Sequence, residues 1–435
     1  MKLQVFPTES INGEIIMPRS KIHSFRALVL ASLANGSSVI RMPKISRDWY
    51  LAVDAMRMFG ASVEDLGGNV HKVSGVSGKP QTPDNIINVR NSGTMLFFIA
   101  GVAAAGAGLT VITGDESIRT LRRVSQNLFR PFKELGVTII STKNDGMAPL
   151  IIQGPVNGGV AHMDGIGCQP VFSVLIASAL SSEPVDIFVE NPGETAYIET
   201  LLFWFKKVGI QVVNVDGAYT HYHLSGNNKP EPFDVTIPLE WSAPSYPLLA
   251  GLITKNSVTK VRGMDRNDTY GDKLILDIFR KMGGDISIKD YMITARSSLL
   301  HASDFDMNLC PDQVPTVAVA ACFAQGVTNI HNAKTARWKE CDRISAICTE
   351  LKKMGAKIHE KEDGMIINQD GSWKLRGCEV QGFSDHRMVL SLAVAGLKAE
   401  GKTVISDAET VEKSFETFVP DMVRAGARYK FINTI

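Results

Sequence analysis

The sequence predicts an α/β protein made of two lobes, each containing three copies of one repeating unit. A helical pattern followed by an apolar residue, a glycine and a short strand recurs six times, with the glycines 71 to 76 residues apart. Self-similarity at a fixed period indicates a repeat architecture, and a chain of 435 residues is too long for one ordinary core. The repeated glycines are Gly60, Gly136, Gly209, Gly283, Gly355 and Gly426.

Each unit contains two further elements upstream of its glycine. Short β-branched runs predict strands at 38–40, 110–112, 186–188 and 403–405. A hydrophobic helix is predicted just before such a strand, as at 25–33, 172–180 and 314–323. These helices are apolar on nearly every face, so we expect them to be buried inside each lobe.

The lobe boundary is predicted at the polar, proline-containing stretch 227–232, between the third and fourth copies. The N-terminal strands have no unit of their own, and we expect them to complete the sixth unit. The upper lobe is therefore predicted to span 19–229, and the lower lobe 1–18 together with 230–435. The chain would cross between the lobes twice, and the gap between two such lobes is the default ligand site.

Composition excludes several classes of function. The formal charge is +1, with 44% hydrophobic and 21% charged residues, so neither nucleic acid nor a membrane is expected as a partner. The uncharged segment 95–112 contains several glycines and has no aromatic belt, so it predicts a buried helix running into a strand. Six cysteines without a C-x-x-C pair indicate free thiols in a reducing compartment. We expect a cytoplasmic protein.

Charged residues collect in loops directly before predicted helices. The clearest case is 339–343, Lys-Glu-Cys-Asp-Arg, before a helix with apolar residues at 344, 347, 351 and 354. Lysine and arginine at a helix start oppose the helix dipole, and such violations of local preference tend to mark functional sites. The alternative is a solvated cluster of salt bridges. Similar loops stand at 18–21, 90–94, 114–119, 310–313, 384–388 and 412–415.

Five of these motifs, in this order, resemble those of the enolpyruvyltransferase family, and most of all its EPSP synthase branch. Ser20-Lys21 with Arg26 is similar to G-S-K-S-x-x-x-R-A-L, and 91–94 is similar to N-[AS]-G-T. The segments 311–312, 339–343 and 385–388 are similar to P-D, K-E-[ST]-D-R and D-H-R-M. The resemblance implies two lobes, each an inside-out α/β barrel of three βαβαββ units, that close on the substrate.

The activity implied by the resemblance is transfer of the carboxyvinyl group of phosphoenolpyruvate (PEP) to an acceptor hydroxyl, with release of phosphate and without a cofactor or metal. Such an enzyme belongs to the shikimate pathway of aromatic amino acid biosynthesis, and we expect it to be a monomer. The methylene carbon needs an acid and the hydroxyl needs a base. The resemblance assigns these proton transfers to Glu340 and Asp312, with Lys21 beside them.

The resemblance also assigns the binding residues. Arginine and lysine suit the phosphate and carboxylate of PEP. The residues implied for PEP are Lys21, Gly93, Arg122, Gln169, Arg343, Arg387 and Lys413. Arg119 and Arg123 are alternatives to Arg122. The residues implied for the acceptor are Arg26, Gln169, Tyr197, Asp312 and Lys339. His386 is interpreted as a packing residue rather than a catalyst.

The acceptor set departs from the family pattern. EPSP synthases hold shikimate 3-phosphate with a serine after the first lysine, a Ser-Ser-Gln triplet, and a serine three residues before a tyrosine. Here these positions are Ile22, the triplet Gly167-Cys168-Gln169, and Glu194. An arginine of the family is replaced by Phe97, and the glycine before Ser20 by Arg19.

Three interpretations follow from this pattern. The chain is an EPSP synthase with an unusual phosphate pocket, an enolpyruvyltransferase for another hydroxyl acceptor such as a nucleotide or cyclitol, or a non-catalytic binding protein. The persistence of the charged cage and of both proton carriers disfavours the third. The UDP-N-acetylglucosamine branch is also disfavoured, because no cysteine lies between Gly114 and Arg123.

Overall fold

The computed structural model describes residues 1–42, 47–121 and 123–432. It divides into two compact units. Unit 1 comprises Met1–Ser20 and Pro238–Ile435, and unit 2 comprises Lys21–Ile237. The unit boundaries thus fall two residues after the first predicted boundary and eight residues after the second.

The helices of unit 2 are Lys21–Leu33, Arg47–Met58, Gly93–Ala105, Glu116–Thr120, Phe129–Glu134, Cys168–Ala179 and Thr195–Lys207, with a 3-10 helix at Arg123–Leu128. Those of unit 1 are Ser245–Ile253, Ile275–Lys281, Val314–Ala321, Arg343–Lys353, His386–Gly396 and Phe418–Arg424. Its 3-10 helices are Gly271–Leu274, Pro311–Gln313, Lys334–Trp338 and Ala408–Lys413.

The described strands of unit 2 form three four-stranded sheets. In spatial order the first sheet is Asp234–Thr236, Ser37–Arg41, Val70–Ser74 and Ser62–Asp65. The second is Ile87–Asn88, Thr110–Thr113, Leu150–Gln153 and Thr138–Ser141. The third is Gly159–Asp164, Val185–Glu190, His221–Leu224 and Val212–Asn214.

Unit 1 also contains three sheets. The first is Asn12–Ile15, Val258–Arg262, Met292–Arg296 and Asp285–Lys289. The second is Leu300–His301, Ala324–His331, Gly364–Gln369 and Ile358–Lys361, with Asp304–Asp306 also paired to the second of these strands. The third is Glu379–Val380, Thr403–Ile405, Lys2–Phe6 and Arg428–Ile432.

All six sheets share one pairing pattern. The first strand runs parallel to the second, and the two remaining pairings are antiparallel. Each of the six repeated glycines precedes the edge strand that closes its sheet. The sixfold repeat predicted from the glycine spacing is therefore present in the fold.

The N-terminal strands only partly follow the prediction. Lys2–Phe6 does complete the sixth sheet, between Thr403–Ile405 and Arg428–Ile432. The prediction was wrong for Asn12–Ile15, which instead pairs with Val258–Arg262 in the fourth sheet. In this register Ile15 stands opposite Val261, and both are fully buried. Burial of this apolar pair favours the fourth sheet.

The most apolar helices lie in the core of their unit. In unit 1, every residue of Val314–Ala321 and of His386–Gly396 is buried. In unit 2, Gly93–Ala105 packs on Cys168–Ala179 so closely that a Cβ at Gly101 would lie 2.7 Å from the Ser173 carbonyl oxygen. This confirms the prediction that the helices apolar on all faces lie inside. Among the described residues, no helix combines the length and apolar character needed to span a bilayer.

The two chain segments at the boundary of unit 1 pair with each other. Arg19 and Leu239 form an isolated antiparallel bridge. The buried Glu240 accepts a hydrogen bond from the Ser20 hydroxyl at 3.0 Å and another from the Ser242 amide at 3.1 Å. The residue that follows Ser20 is Lys21, which begins the first helix of unit 2.

Candidate active site

Several loops of unit 1 that precede helices converge on one arginine. Arg343 is the first residue of its helix, and Asp342 caps that helix by accepting a hydrogen bond from the Ser345 amide at 2.9 Å. Asp385 caps the helix His386–Gly396 by accepting one from the Arg387 amide at 2.9 Å. The caps compensate the amide groups that helix starts leave without partners.

The Arg343 guanidinium binds three carboxylates at once. Its Nη1 lies 2.7 Å from Asp312 Oδ1, and its Nη2 lies 2.6 Å from Glu340 Oε2. Its Nε lies 2.7 Å from Asp385 Oδ2. The Arg343 side chain is 1% exposed. A planar guanidinium presents its donors in a fixed fork, so Arg343 sets the relative position of both predicted proton carriers.

Asp312 joins Arg343 to two further cations. Its Oδ2 accepts a hydrogen bond from Arg387 Nη2 at 2.8 Å, and its Oδ1 lies 4.0 Å from Lys339 Nζ. Arg387 Nη2 also lies 3.9 Å from Asp272 Oδ2. The structure thus brings together five residues predicted from sequence, namely Asp312, Lys339, Glu340, Arg343 and Arg387.

The electrostatics of this cluster keep Asp312, Arg343 and Arg387 in their charged forms. Burial acts to raise the pKa of Asp312, but the charges of Arg387, Lys339 and Arg343 outweigh it and hold that pKa well below its usual range. Burial acts to lower the pKa of Arg343, whereas Asp385, Glu340 and Asp312 raise it well above its usual value. The pKa of Arg387 is likewise raised, by Asp312 in particular, against the effect of burial.

The cations of this cluster already have carboxylate partners. Among the described residues of unit 1, the cluster brings together three cationic side chains and four carboxylates, since Asp272 and Asp385 join the two predicted ones. A bound anion would therefore take over hydrogen bonds that these carboxylates now accept. Arginine forms strong, often bidentate hydrogen bonds with phosphates and carboxylates, so Arg343 and Arg387 have the donors that such an anion requires.

Sequence reasoning missed two members of this cluster as site residues, Asp272 and Asp385. Asp272 is fully buried in the 3-10 helix Gly271–Leu274, directly before the helix Ile275–Lys281. The criterion used elsewhere, a charged residue in the loop before a helix, would have selected it. Asp385 was noticed only as part of a motif, and its contact with Arg343 links positions 42 residues apart.

His386 is unsuited to proton transfer near neutral pH. Burial lowers its pKa to about 3, although Asp385 acts in the opposite direction. Its Nδ1 lies 3.7 Å from Asp385 Oδ1.

Lys413 ends the 3-10 helix Ala408–Lys413. Its Nζ donates to the Ser384 carbonyl at 3.2 Å, beside the start of the Asp-His-Arg-Met segment.

In unit 2, the predicted lysine has a carboxylate partner. Lys21 Nζ forms a salt bridge with Asp48 Oδ2 and lies 5.6 Å from the centre of the Phe25 ring. Asp48 stands in the first turn of Arg47–Met58, where the helix dipole favours an acidic residue. Lys21 is therefore held in place at the start of its own helix.

Arg26 is buried between aromatic rings. Its guanidinium carbon lies 5.5 Å from the centre of the Phe98 ring and 4.7 Å from that of Phe172. Its Nη1 donates to the Ile22 carbonyl at 3.1 Å, and its Nη2 donates to the Tyr197 carbonyl at 3.2 Å. The cation–π contacts and the main-chain acceptors together fix this side chain.

The remaining unit 2 positions lie at two helix starts. Gly93 is the first residue of its helix, behind Ser92, whose hydroxyl accepts from the Met95 amide at 3.3 Å. Gln169 Nε2 donates to Thr94 Oγ1 at 3.3 Å.

Of the three arginines considered after Gly114, Arg122 lies outside the described residues, as does the side chain of Arg123. Arg119 is exposed and donates to the Asp115 carbonyl at 3.2 Å.

Glu194 contacts the start of the helix that carries Gln169. Its Oε2 accepts a hydrogen bond from the Cys168 amide at 3.1 Å, and the residue is 1% exposed. The backbone of Glu194 is left-handed, with φ at 52°. The Tyr197 amide donates to the Glu194 carbonyl at 2.9 Å. The sequence departures at 168 and 194 are therefore in direct contact.

Comparisons with known proteins show what the chain is similar to. The family model described as EPSP synthase (3-phosphoshikimate 1-carboxyvinyltransferase) matches residues 5–422. A 3-phosphoshikimate 1-carboxyvinyltransferase of Acetivibrio thermocellus is 39% identical over 416 residues, which is 96% of each chain. One of Methanocaldococcus jannaschii is 38% identical over 431 residues, 98% of each chain. The solved EPSP synthase of Acinetobacter baumannii shares the fold, with a TM-score of 0.81 at 24% identity over 99% of both chains.

Proposed function

The chain belongs to the EPSP synthase family, and from this premise we propose which of its residues carry out the reaction. It is a transferase that moves the carboxyvinyl group of PEP to an acceptor hydroxyl and releases phosphate. Shikimate 3-phosphate is the acceptor after which its relatives are named. The observation that supports the residue assignment is the Arg343 fork, which holds Asp312 and Glu340 at 2.7 and 2.6 Å.

The first step is an addition across the double bond of PEP. Asp312 accepts the proton of the acceptor hydroxyl, whose oxygen bonds to the central carbon of PEP. The electron pair of the double bond takes a proton from Glu340 and forms a methyl group. Positioned general acids and bases contribute roughly 10²–10⁴-fold each to such steps. The product is a tetrahedral ketal that still carries the phosphate.

The second step is elimination. The bond from the ketal carbon to the phosphate oxygen breaks, and phosphate leaves with the proton that Asp312 accepted in the first step. Loss of a proton from the methyl group restores the double bond. Glu340 is placed to take that proton back. Arg343 and Arg387 are proposed to bind the anionic groups of PEP and to stabilise the charge on the leaving phosphate.

The other assignments rest on the resemblance and on local geometry. Lys21 is proposed to act in catalysis on the ground of the resemblance, and Asp48 holds its ammonium at the start of the helix. Lys21, Gly93, Gln169, Arg122 and Lys413 stay predictions as PEP ligands. Arg26, Gln169, Tyr197, Asp312 and Lys339 stay predictions as acceptor ligands.

The surroundings in which the enzyme acts are also proposed. All six cysteines are free thiols, and five of them are buried. Unpaired cysteines are typical of proteins from reducing compartments, and on this ground we propose a cytoplasmic location. We propose that the protein acts on small molecules as a monomer.

The proposed roles are tested by phosphate release from PEP with shikimate 3-phosphate as acceptor. Glu340→Gln and Asp312→Asn should each lower turnover by roughly 10²-fold or more, as loss of a general acid or base does. Glu362→Gln is the matched control, since this carboxylate is paired with Lys334 Nζ at 2.7 Å on an exposed surface. Near-normal turnover in both variants of the cluster would refute the proton-transfer assignment.

A further inference from the structure

We propose that Asp272 is a positioning residue for the proton transfer at Asp312, because it offers Arg387 a second carboxylate. The hydrogen bond that Arg387 Nη2 now donates to Asp312 passes to Asp272 when Asp312 accepts the proton of the acceptor hydroxyl. Asp272 itself neither gives nor takes a proton. This inference rests on the proposed function, since it concerns the base of the same reaction.

The first observation is that two carboxylates face the same nitrogen of Arg387. Its Nη2 donates to Asp312 Oδ2 at 2.8 Å, whereas Asp272 Oδ2 lies 3.9 Å away, beyond hydrogen-bond distance. The side chain of Asp272 is 0% exposed and that of Arg387 is 8% exposed. A movement of Nη2 by about 1 Å therefore exchanges one acceptor for the other.

The second observation is that Asp272 acts on its surroundings as a negative charge. Burial raises the pKa of the Cys310 thiol well above its usual value, and Asp272 raises it further. Burial and Asp272 have the same effect on the pKa of Tyr270. Both groups are therefore uncharged near neutral pH, as is Tyr246, whose pKa burial raises to about 12. The negative charge beside Arg387 thus comes from carboxylates.

The surroundings of Asp312 oppose its proposed role as a base. Burial acts to raise its pKa, but the charges of Arg387, Lys339 and Arg343 hold that pKa well below its usual range. The like charge of Glu340 acts in the same direction as burial. A general base is most effective when its pKa lies near the working pH. Weakening one of these cation contacts during proton transfer would therefore strengthen the base.

Arg387 has the contact that can be weakened, because a second acidic partner is at hand. Once Asp312 is protonated it no longer offers Arg387 a negative charge, and a buried arginine without an ionised partner is costly. Asp272 lies beside the same nitrogen, so the guanidinium can release Asp312 and stay paired. Without the charge of Asp272, Arg387 would stay fixed on Asp312. The base would then be weaker, while the guanidinium would still be present for PEP.

The test compares Asp272→Asn, which removes the charge and keeps the shape, with Asp272→Glu, which keeps the charge. kcat is measured by phosphate release from PEP with shikimate 3-phosphate, and the dissociation constant of PEP alone by calorimetry. We expect Asp272→Asn to lower kcat roughly tenfold, a part of the roughly 10²–10⁴-fold that a general base contributes. The dissociation constant of PEP should change by less than about threefold, because the loss falls on the transition state. Asp272→Glu should retain kcat within about threefold.

Glu350→Gln is the matched control. Glu350 is also a fully buried carboxylate of unit 1, and its Oε1 lies 2.8 Å from Lys353 Nζ, but it does not belong to the cluster around Arg343. This variant should leave kcat unchanged. Asp272→Ser removes the charge with a smaller side chain, and it takes the place of Asp272→Asn if the asparagine variant does not fold.

Three results would overturn the proposal. An unchanged kcat in Asp272→Asn would show that its charge has no part in the reaction. An equal loss of kcat in Asp272→Asn and Asp272→Glu would attribute the effect to shape. A loss of PEP affinity as large as the loss of kcat would show a displaced guanidinium.

The wild-type assay separates this inference from the proposed function. A wild type that releases no phosphate would refute the proposed function and the role of Asp272 with it. An active wild type together with an unchanged kcat in Asp272→Asn would refute the role of Asp272 alone.

Discussion

Replacement of Arg343 by lysine tests whether the fork organises the catalytic cluster. The substitution keeps the positive charge, but one ammonium group cannot reach Asp312, Glu340 and Asp385 in the three directions that Nη1, Nη2 and Nε now serve. PEP would lose the bidentate partner proposed for it. Folding and binding should therefore both be affected, by amounts that the contacts allow us to estimate.

The magnitude for folding comes from the burial of these contacts. The lysine ammonium cannot pair with all three carboxylates, and leaving a buried carboxylate without its cationic partner costs about 3–5 kcal/mol. For a domain of about 200 residues this corresponds to a melting temperature lower by roughly 6–20 °C. For binding, a lost hydrogen bond between charged groups costs about 1.5–3 kcal/mol. The dissociation constant of PEP should rise by roughly 10- to 150-fold.

Arg337→Lys provides the matched control. Arg337 also binds two carboxylates, with Nη1 2.7 Å from Asp342 Oδ2 and Nη2 2.8 Å from Glu360 Oε1, but neither belongs to the cluster around Arg343. This variant should lower the melting temperature and leave PEP affinity unchanged. PEP is titrated by calorimetry in the presence and absence of shikimate 3-phosphate, with each variant also followed by thermal denaturation.

Two outcomes would refute this reasoning. PEP affinity unchanged in Arg343→Lys would remove the fork from the PEP site. An equal loss of affinity in Arg343→Lys and Arg337→Lys would attribute the effect to general destabilisation. Either result would leave Arg343 as a structural residue.

Three further predictions concern the same cluster. Asp385→Asn can still cap its helix, but it loses the charge that holds Arg343 Nε. The KM for PEP should therefore rise about tenfold or more, with a smaller change in kcat. Equal changes in KM and kcat would argue against a positioning role. Because the pKa of Asp312 is lowered in the folded state, its stabilising contribution is present above its unfolded pKa of about 3.9 and is lost as the pH falls through the folded value. The melting temperature should therefore lose this contribution only at acid pH. In Asp312→Asn the melting temperature should depend less on pH in this acid range. His386→Asn should leave the pH profile of kcat between pH 6 and 8 unchanged, since the pKa of His386 is lowered to about 3; a shifted profile would return His386 to the list of catalytic candidates.

The architecture could be predicted from the sequence because each repeat depends on the types of neighbouring residues in the chain. Glycine at a helix end and an alternating strand after it are required wherever this unit occurs. The buried helices were recognisable because they lack a polar face, as Val314–Ala321 shows. The pairing of Asn12–Ile15 was not predictable, because its partner strand begins 246 residues further along the chain and the choice depends on packing.

The acidic and basic residues of the unit 1 cluster were also found from sequence. They stand in loops before helices. A basic residue at a helix start opposes the helix dipole, and this can be recognised from the sequence alone. Asp272 satisfies the same criterion and was overlooked. The partners of each charge were not visible, because Arg343 joins Asp312 and Asp385 across 31 and 42 residues.

What the sequence determined by itself was the repeat, the buried helices, the family and the identity of the charged residues, since each follows from local pattern. What the tertiary structure alone decided was which charges meet. It showed that the Arg343 fork is filled by three carboxylates, and that Glu194 supplies the acidic partner of the Cys168 amide. Hydrogen bonds of this kind require donor and acceptor atoms of residues remote in the chain to lie about 2.7–3.2 Å apart. No spacing along the sequence encodes those distances, because packing of the buried helices sets them.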